Sequence, residues 1–138
     1  MKVKDVLEYK GKTVYRTTSG TKLLAAIDSL NYYHIGALLV MDGVKLIGIV
    51  TERDILHALS KFKDDILKLN VSGIMTTSLI TCDAGDPIES VMEKMTLHHI
   101  RHLPVFEMKK LVGIVSIGDM VHTLVEMREK QRRKGKIK

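Results

Sequence analysis

The chain writes one pattern twice, and that repeat constrains the fold more than any figure for composition. Gly48-Ile-Val-Thr-Glu-Arg-Asp-Ile55 returns 65 residues later as Gly113-Ile-Val-Ser-Ile-Gly-Asp-Met120. When His34–Ile55 is laid on His99–Met120, ten of the 22 positions are identical, among them His34/His99, Ile35/Ile100, Gly48/Gly113 and Asp54/Asp119. The pair Thr51/Ser116 keeps a hydroxyl. Upstream, Gly20 matches Gly85, and the apolar Leu23, Ile27 and Leu30 fall opposite Ile88, Met92 and Met95. Earlier still, Val3-x-x-Val6-Leu7 resembles Val71-x-x-Ile74-Met75, now at a shift of 68, so the first copy carries three extra residues around Glu8–Lys12. The organisation expected is one copy over residues 1–65, a second over 66–127, and a tail over 128–138.

Each copy predicts the same elements. A short strand comes first (Thr13–Thr17; Ser78–Cys82), then turn residues (Ser19-Gly20; Ala84 to Pro87). A helix with apolar residues three and four apart follows (Thr21–Asn31; Pro87–Leu97), with Pro87 suited to a first turn where its missing N–H is not needed. Two apolar runs make a hairpin: 37–41 and 45–50 around Asp42-Gly43, and His102–Phe106 and Lys110–Val115 around the weaker turn sequence Glu107-Met108-Lys109. A last helix spans Glu52–Phe62, and its counterpart runs from Ile117 into the tail. The order is strand–helix–strand–strand–helix, twice. The strands read as buried on both faces, so helices must cover them. The fold class is therefore α/β (α+β-like), and a copy of about 60 residues is marginal alone, which favours packing two together.

With 45% hydrophobic residues but only 4% aromatic and no Trp, the core has to be built from Ile, Leu, Val and Met. No apolar run approaches the roughly 20 residues a bilayer requires. The first residues, MKVKDVLEYKGK, lack the uninterrupted apolar stretch of a signal peptide. The one cysteine, Cys82, has no internal disulfide partner and reads as a small buried residue; together these features favour a reducing, cytoplasmic setting with no membrane partner. The net charge of +6 belongs to the tail: residues 128–138 hold seven Lys/Arg and one Glu, leaving 15 basic and 15 acidic side chains in the rest. Such a tail is either a nucleic-acid contact or a solvated, frayed helix end; the lack of interleaved aromatics favours the helix end.

The repeated hydroxyl–x–x–Asp has two readings. It is a capping box, in which the hydroxyl and the acid satisfy free N–H groups at a helix start. It is also a ligand corner, because a helix start at a strand end carries free N–H groups and a positive field, and a carboxylate there can accept both hydroxyls of a ribose. The cap by itself does not require both residue types in both copies. His98, His99 and His102 have spacings a metal could use on a helix, but no acid or Cys stands near and His34 repeats His99, so a helix-end role is favoured and no metal site is assigned. No nucleophile–base pair or paired acid site appears, so enzymatic activity is not expected.

The elements GIVTERDIL and GIVSIGDMV, with HHIRHLPVF before the second, resemble a tandem pair of CBS domains (a Bateman module) of the stand-alone bacterial and archaeal type, over about residues 3–127. The resemblance implies two β-α-β-β-α units packed with pseudo-twofold symmetry, and a homodimer that signals to a downstream protein. It implies AMP, ADP or ATP, and less often NAD or S-adenosylmethionine, in clefts between units, as sensed ligands and not as catalytic cofactors. By the same resemblance Asp119 and Ser116, with Lys12, Thr13 and Val14, make one cleft; Asp54 and Thr51, with Thr77, Ser78 and Leu79, make the other. Arg101 and His102 stand where the family reaches phosphate, whereas the first copy has Gly36 and Ala37 there, so the Asp119 cleft is expected to hold an anionic ligand more tightly.

Overall fold

The structure, a computed structural model, describes residues 1–137, with side chains to residue 135; the last residue of the basic run, Lys138, lies outside the described residues. The element order is α1 (Val3–Lys10), β1 (Arg16–Thr17), α2 (Leu23–Tyr33), β2 (Ala37–Asp42), β3 (Lys45–Thr51), α3 (Glu52–Phe62), β4 (Cys82–Asp83), α4 (Ile88–His98), β5 (His102–Glu107), β6 (Lys110–Ser116) and α5 (Ile117–Ile137). Two short 3-10 helices, Lys63–Lys68 and Val71–Gly73, follow α3. The predicted order of strand, helix, two strands and helix thus occurs twice. The basic run continues α5 as helix, and among the described residues no helix is long and apolar enough to cross a membrane.

The compact units are cut differently from the sequence copies. One unit is Val14–Leu79; the other joins Met1–Thr13 to the chain from Ile80 onward. Each is therefore most of one copy plus the leading segment of the other. The exchange follows equivalent positions. Lys2 bridges Pro87 in one unit; Asn70, 68 residues after Lys2, bridges Lys22, the counterpart of Pro87, in the other. The physical reason is apolar burial. Val3, Val6 and Leu7 lie on one face of α1, exposed by 1% or less, and join Val91, Met95, Leu103 and Val115 in one core. Val71 is fully buried with Leu38, Val40 and Val50 in the other, with Ile74 and Met75 packed against them.

Each unit has a three-stranded sheet, β1-β2-β3 or β4-β5-β6, in which the first pair is parallel and the second antiparallel. Residues Ala37–Met41 of β2 are all buried, as a continuous apolar run requires. A register shift falls at Val40/Met41 and again at Val105/Phe106, so even the irregularity repeats. Just past it, Gly48 and Gly113 stand where another segment presses on the strand. A Cβ at Gly113 would lie 2.9 Å from Leu7 Cδ2, and one at Gly48 would lie 3.0 Å from Met75 Sδ and 3.1 Å from the Thr76 carbonyl oxygen.

Three sequence expectations need adjusting. The first strands are two residues long, not five, because each is an edge strand that pairs on one side only, over Leu39–Val40 or Val105–Phe106. Helix α2 starts and ends two residues late, and α4 starts one residue late with Pro87 as its cap residue at φ −63°. Third, the weak turn sequence makes a tight hairpin. Met108 and Lys109 form its loop with φ values of +50° and +66°, whereas the first copy turns through Gly43 at φ +61°. Two side-chain-bearing residues in the left-handed region are costly, by roughly 1 kcal/mol each. Replacing Met108-Lys109 by Asn-Gly is expected to stabilise the protein by about 1 kcal/mol, read as a higher urea midpoint at unchanged slope. A lower midpoint would contradict this account of the turn.

Candidate functional site

Each unit has one corner where its third strand hands over to a helix. In the Val14–Leu79 unit the corner is Thr51 to Asp54. The Asp54 N–H donates to Thr51 Oγ1 at 3.3 Å, and Asp54 Oδ2 accepts the Thr51 N–H at 2.9 Å and its hydroxyl at 3.1 Å. The capping box is thus formed in full. The Gly36 carbonyl accepts the Glu52 N–H at 3.0 Å and so ties the helix start to the head of β2. The chain at Thr76 then runs antiparallel to Ile49, exchanging N–H···O bonds of 2.9 and 3.0 Å. That pairing carries the Thr76 hydroxyl to the other carboxylate oxygen, Asp54 Oδ1, at 3.2 Å. Thr77 and Ser78 follow, both exposed, and Leu79 is half-buried.

The second corner is built alike from Ser116 to Asp119. The Asp119 N–H donates to Ser116 Oγ at 3.0 Å, and Asp119 Oδ2 accepts the Ser116 N–H at 2.9 Å. The Arg101 carbonyl, counterpart of Gly36, accepts the Ile117 N–H at 3.0 Å, so Arg101 borders the helix start with its side chain exposed. His102, half-buried, pairs with Ser116 across β5 and β6. Here the segment that arrives is α1, and it brings a cation. Lys10 Nζ donates to Asp119 Oδ2 at 2.7 Å and to the Ile114 carbonyl at 2.8 Å. The two side chains are 23% and 29% exposed, so the pair is partly shielded from water. Among the described residues nothing hydrogen-bonds Asp119 Oδ1. Lys12 and Thr13 follow Lys10 and are exposed; Val14 opens the other compact unit.

Lys10 and Thr76 are the corner residues that sequence reasoning missed. The signal was present: the shift between copies changes from 68 to 65 across Glu8–Lys12. The three extra residues extend α1 to Lys10, whereas the equivalent segment leaves its 3-10 turn at Gly73 and is extended by Thr76. One corner consequently meets an ammonium and the other a hydroxyl.

Burial of the Asp119 carboxyl works to raise its pKa, but the Lys10 hydrogen bond, the Ser116 N–H, the Lys10 charge and the Ser116 hydroxyl outweigh it and hold the pKa below 3.8. Cys82 is different in kind: burial first, then Asp86 and Asp83 against Lys94, push its thiol up to about 12, so it is a core residue without thiolate chemistry. The repeated histidines are helix stops. His34 and His99 both take the left-handed conformation at φ +54° as C-caps. The Ile35 and Ile100 N–H groups then each reach back to Leu30 and Met95 at 3.0 Å, which closes the helix ends.

A family model described as the CBS domain matches residues 3–61 and again 71–126. The chain belongs to the CBS-domain family. Its relatives include CBS domain-containing protein CBSX3, mitochondrial, of Arabidopsis thaliana, 35% identical over 95% of this chain and 68% of that one. Among solved structures, the CBS-domain containing protein ATU1752 of Agrobacterium tumefaciens is 35% identical, with a TM-score of 0.86 over 89% of this chain and 98% of that one. The CBS domain pair of protein MJ0100, in complex with 5′-methylthioadenosine and S-adenosyl-L-methionine, is 30% identical with a TM-score of 0.79, over 90% of this chain and 99% of that one. The two corners of this CBS pair are thus the Ser/Thr–x–x–Asp elements at Thr51–Asp54 and Ser116–Asp119.

The depressed Asp119 pKa makes a signed prediction. The native state binds fewer protons there than the unfolded chain, so the Asp119 contribution is complete above the unfolded value of about 4 and is lost as pH falls through the folded value. Asp119→Asn is expected to cost about 1 kcal/mol at neutral pH, with the gap to wild type narrowing steadily below about pH 4. Urea unfolding across that range checks it, and a gap that stays constant into acid would refute the coupling to Asp119.

Proposed function

We propose that this CBS pair is a non-catalytic regulatory module that takes an adenine nucleotide, AMP foremost, at the Asp119 corner and more weakly at the Asp54 corner. One observation carries the reading: each half-buried carboxylate is held by its own helix start in a fixed orientation, and the Asp119 carboxylate carries the Lys10 ammonium, with the backbone of Arg101 tied to the same helix start. A fixed carboxylate accepts the two hydroxyls of a ribose without reorganising. The surrounding cations match a phosphate, for which Arg supplies a planar fork. His102 and Thr13 complete the set at that corner, Ser78 at the other. The complex of the MJ0100 pair supports a ribose grip, since methylthioadenosine and S-adenosylmethionine share adenosine. ADP, ATP and NAD contain the same ribose and are further candidates.

The working form is a homodimer that presents its ligand state to a downstream protein. Apolar surface supports this. A groove of about 470 Å³ between α2 and α3 has an apolar floor of Ile27, Leu30, Ile35, Ile55 and Leu56, bordered by the polar Asn31, His34 and Glu52. Leu56 is 67% exposed, and Val121, Leu124 and Val125 form a stripe on α5 exposed by 39–54%.

Titration calorimetry tests the ligand reading. Asp119→Ala and Arg101→Ala are each expected to weaken AMP binding by at least about tenfold, a loss of about 1.4 kcal/mol, with a smaller effect from Asp54→Ala. The reverse ranking would overturn the assignment of the stronger corner, and no heat with any adenine nucleotide would overturn the reading itself.

A further inference from the structure

Lys10 is poorly placed to be only a structural cation. Its helix does not depend on it: α1 is held by the fully buried Val3, Val6 and Leu7. Tyr9 fastens the last turn to α5, with its ring 6.2 Å from the His122 ring and the Lys130 ammonium 5.2 Å from the ring centroid. The Lys10 side chain is the movable part, a point charge on a flexible four-carbon stem. Its ammonium lies 2.7 Å from Asp119 Oδ2, the oxygen that also serves the cap, while Oδ1 has no hydrogen-bond partner among the described residues. A ribose that engages both oxygens must displace it.

We propose that Lys10 is a specificity-determining gate at the Asp119 corner, closed on the carboxylate in the free protein and opened by ligands whose 5′ group is a phosphate. The proposal rests on the adenine-nucleotide reading above and adds to it a discrimination between nucleotide and nucleoside. The argument is one of charge. A neutral nucleoside that takes Asp119 leaves the partly shielded Lys10 ammonium with the Ile114 carbonyl but no counter-charge, and gives nothing in return; a shielded charge without its counter-ion is costly. A nucleotide displaces the same ammonium but offers it a phosphate, and the new charge-assisted bond replaces the one broken. The discrimination is a property of one corner only. At the other, the arriving side chain is the neutral Thr76 hydroxyl, which a ribose can displace without stranding a charge.

The test uses the full chain in an Asp54→Ala background, so that one corner is read, and measures AMP and adenosine binding by calorimetry. Lys10→Met is expected to lower the ratio of AMP to adenosine affinity by at least about tenfold, with adenosine binding strengthened, while Lys10→Arg keeps the ratio within about threefold of wild type. Thermal unfolding verifies that each variant is native. An unchanged ratio in Lys10→Met, with both compounds still binding, overturns the gate and leaves the nucleotide reading standing. Absence of binding by both compounds before Lys10 is altered overturns both.

Discussion

A bare strand surface at Gly113 lets Leu7 lie where a Cβ would otherwise sit 2.9 Å away, and at Gly48 the same vacancy admits Met75 and the Thr76 backbone. These two close approaches govern the rest of the structure. Through them the leading segment of each sequence copy packs on the third strand of the other, so each hydrophobic core is completed by residues from both copies. They also set what reaches the carboxylates. Because α1 lies over β6, Lys10 arrives at Asp119; because the extended chain at Thr76 pairs with β3, a hydroxyl arrives at Asp54. A larger residue at either glycine would push on the segment that completes a corner as well as on the core.

The two readings of the repeated hydroxyl and acid are not rivals. The capping bonds at Thr51–Asp54 and Ser116–Asp119 are present, and a cap of this kind contributes about 1 kcal/mol to its helix. The same bonds hold the carboxylate in one orientation at the end of a strand, which is the preorganisation a binding group needs. Stability and the proposed recognition draw on one geometry. What differs between the corners is the side chain brought from outside the repeated element, and its charge separates their chemistry.

Much of the fold was legible in spacing. The apolar positions of α3 give its limits, Glu52–Phe62, without adjustment, because the Thr51 cap signal and the helical period agree there. The hairpin strands follow from their apolar runs, and the His-Ile repeat marks helix stops at His34 and His99. The first strands were not legible, since an edge strand's length depends on how much of its neighbour it meets. Helix α1 escaped too: Val3, Val6 and Leu7 were recognised as a repeat of Val71, Ile74 and Met75, yet one became an α-helix and the other a 3-10 turn followed by extended chain.

The amino-acid order alone therefore determined the twofold pattern, the element types around each hairpin, and the two acids paired with their hydroxyls, because each of these rests on residues within a few positions of one another. Only the tertiary structure decided which segment covers which sheet, and with it that Lys10 meets Asp119 across 109 residues while Thr76 meets Asp54 across 22. Those contacts are chosen by shape and burial at Gly48 and Gly113, and local sequence cannot specify which distant side chain will fill a space that a glycine leaves open.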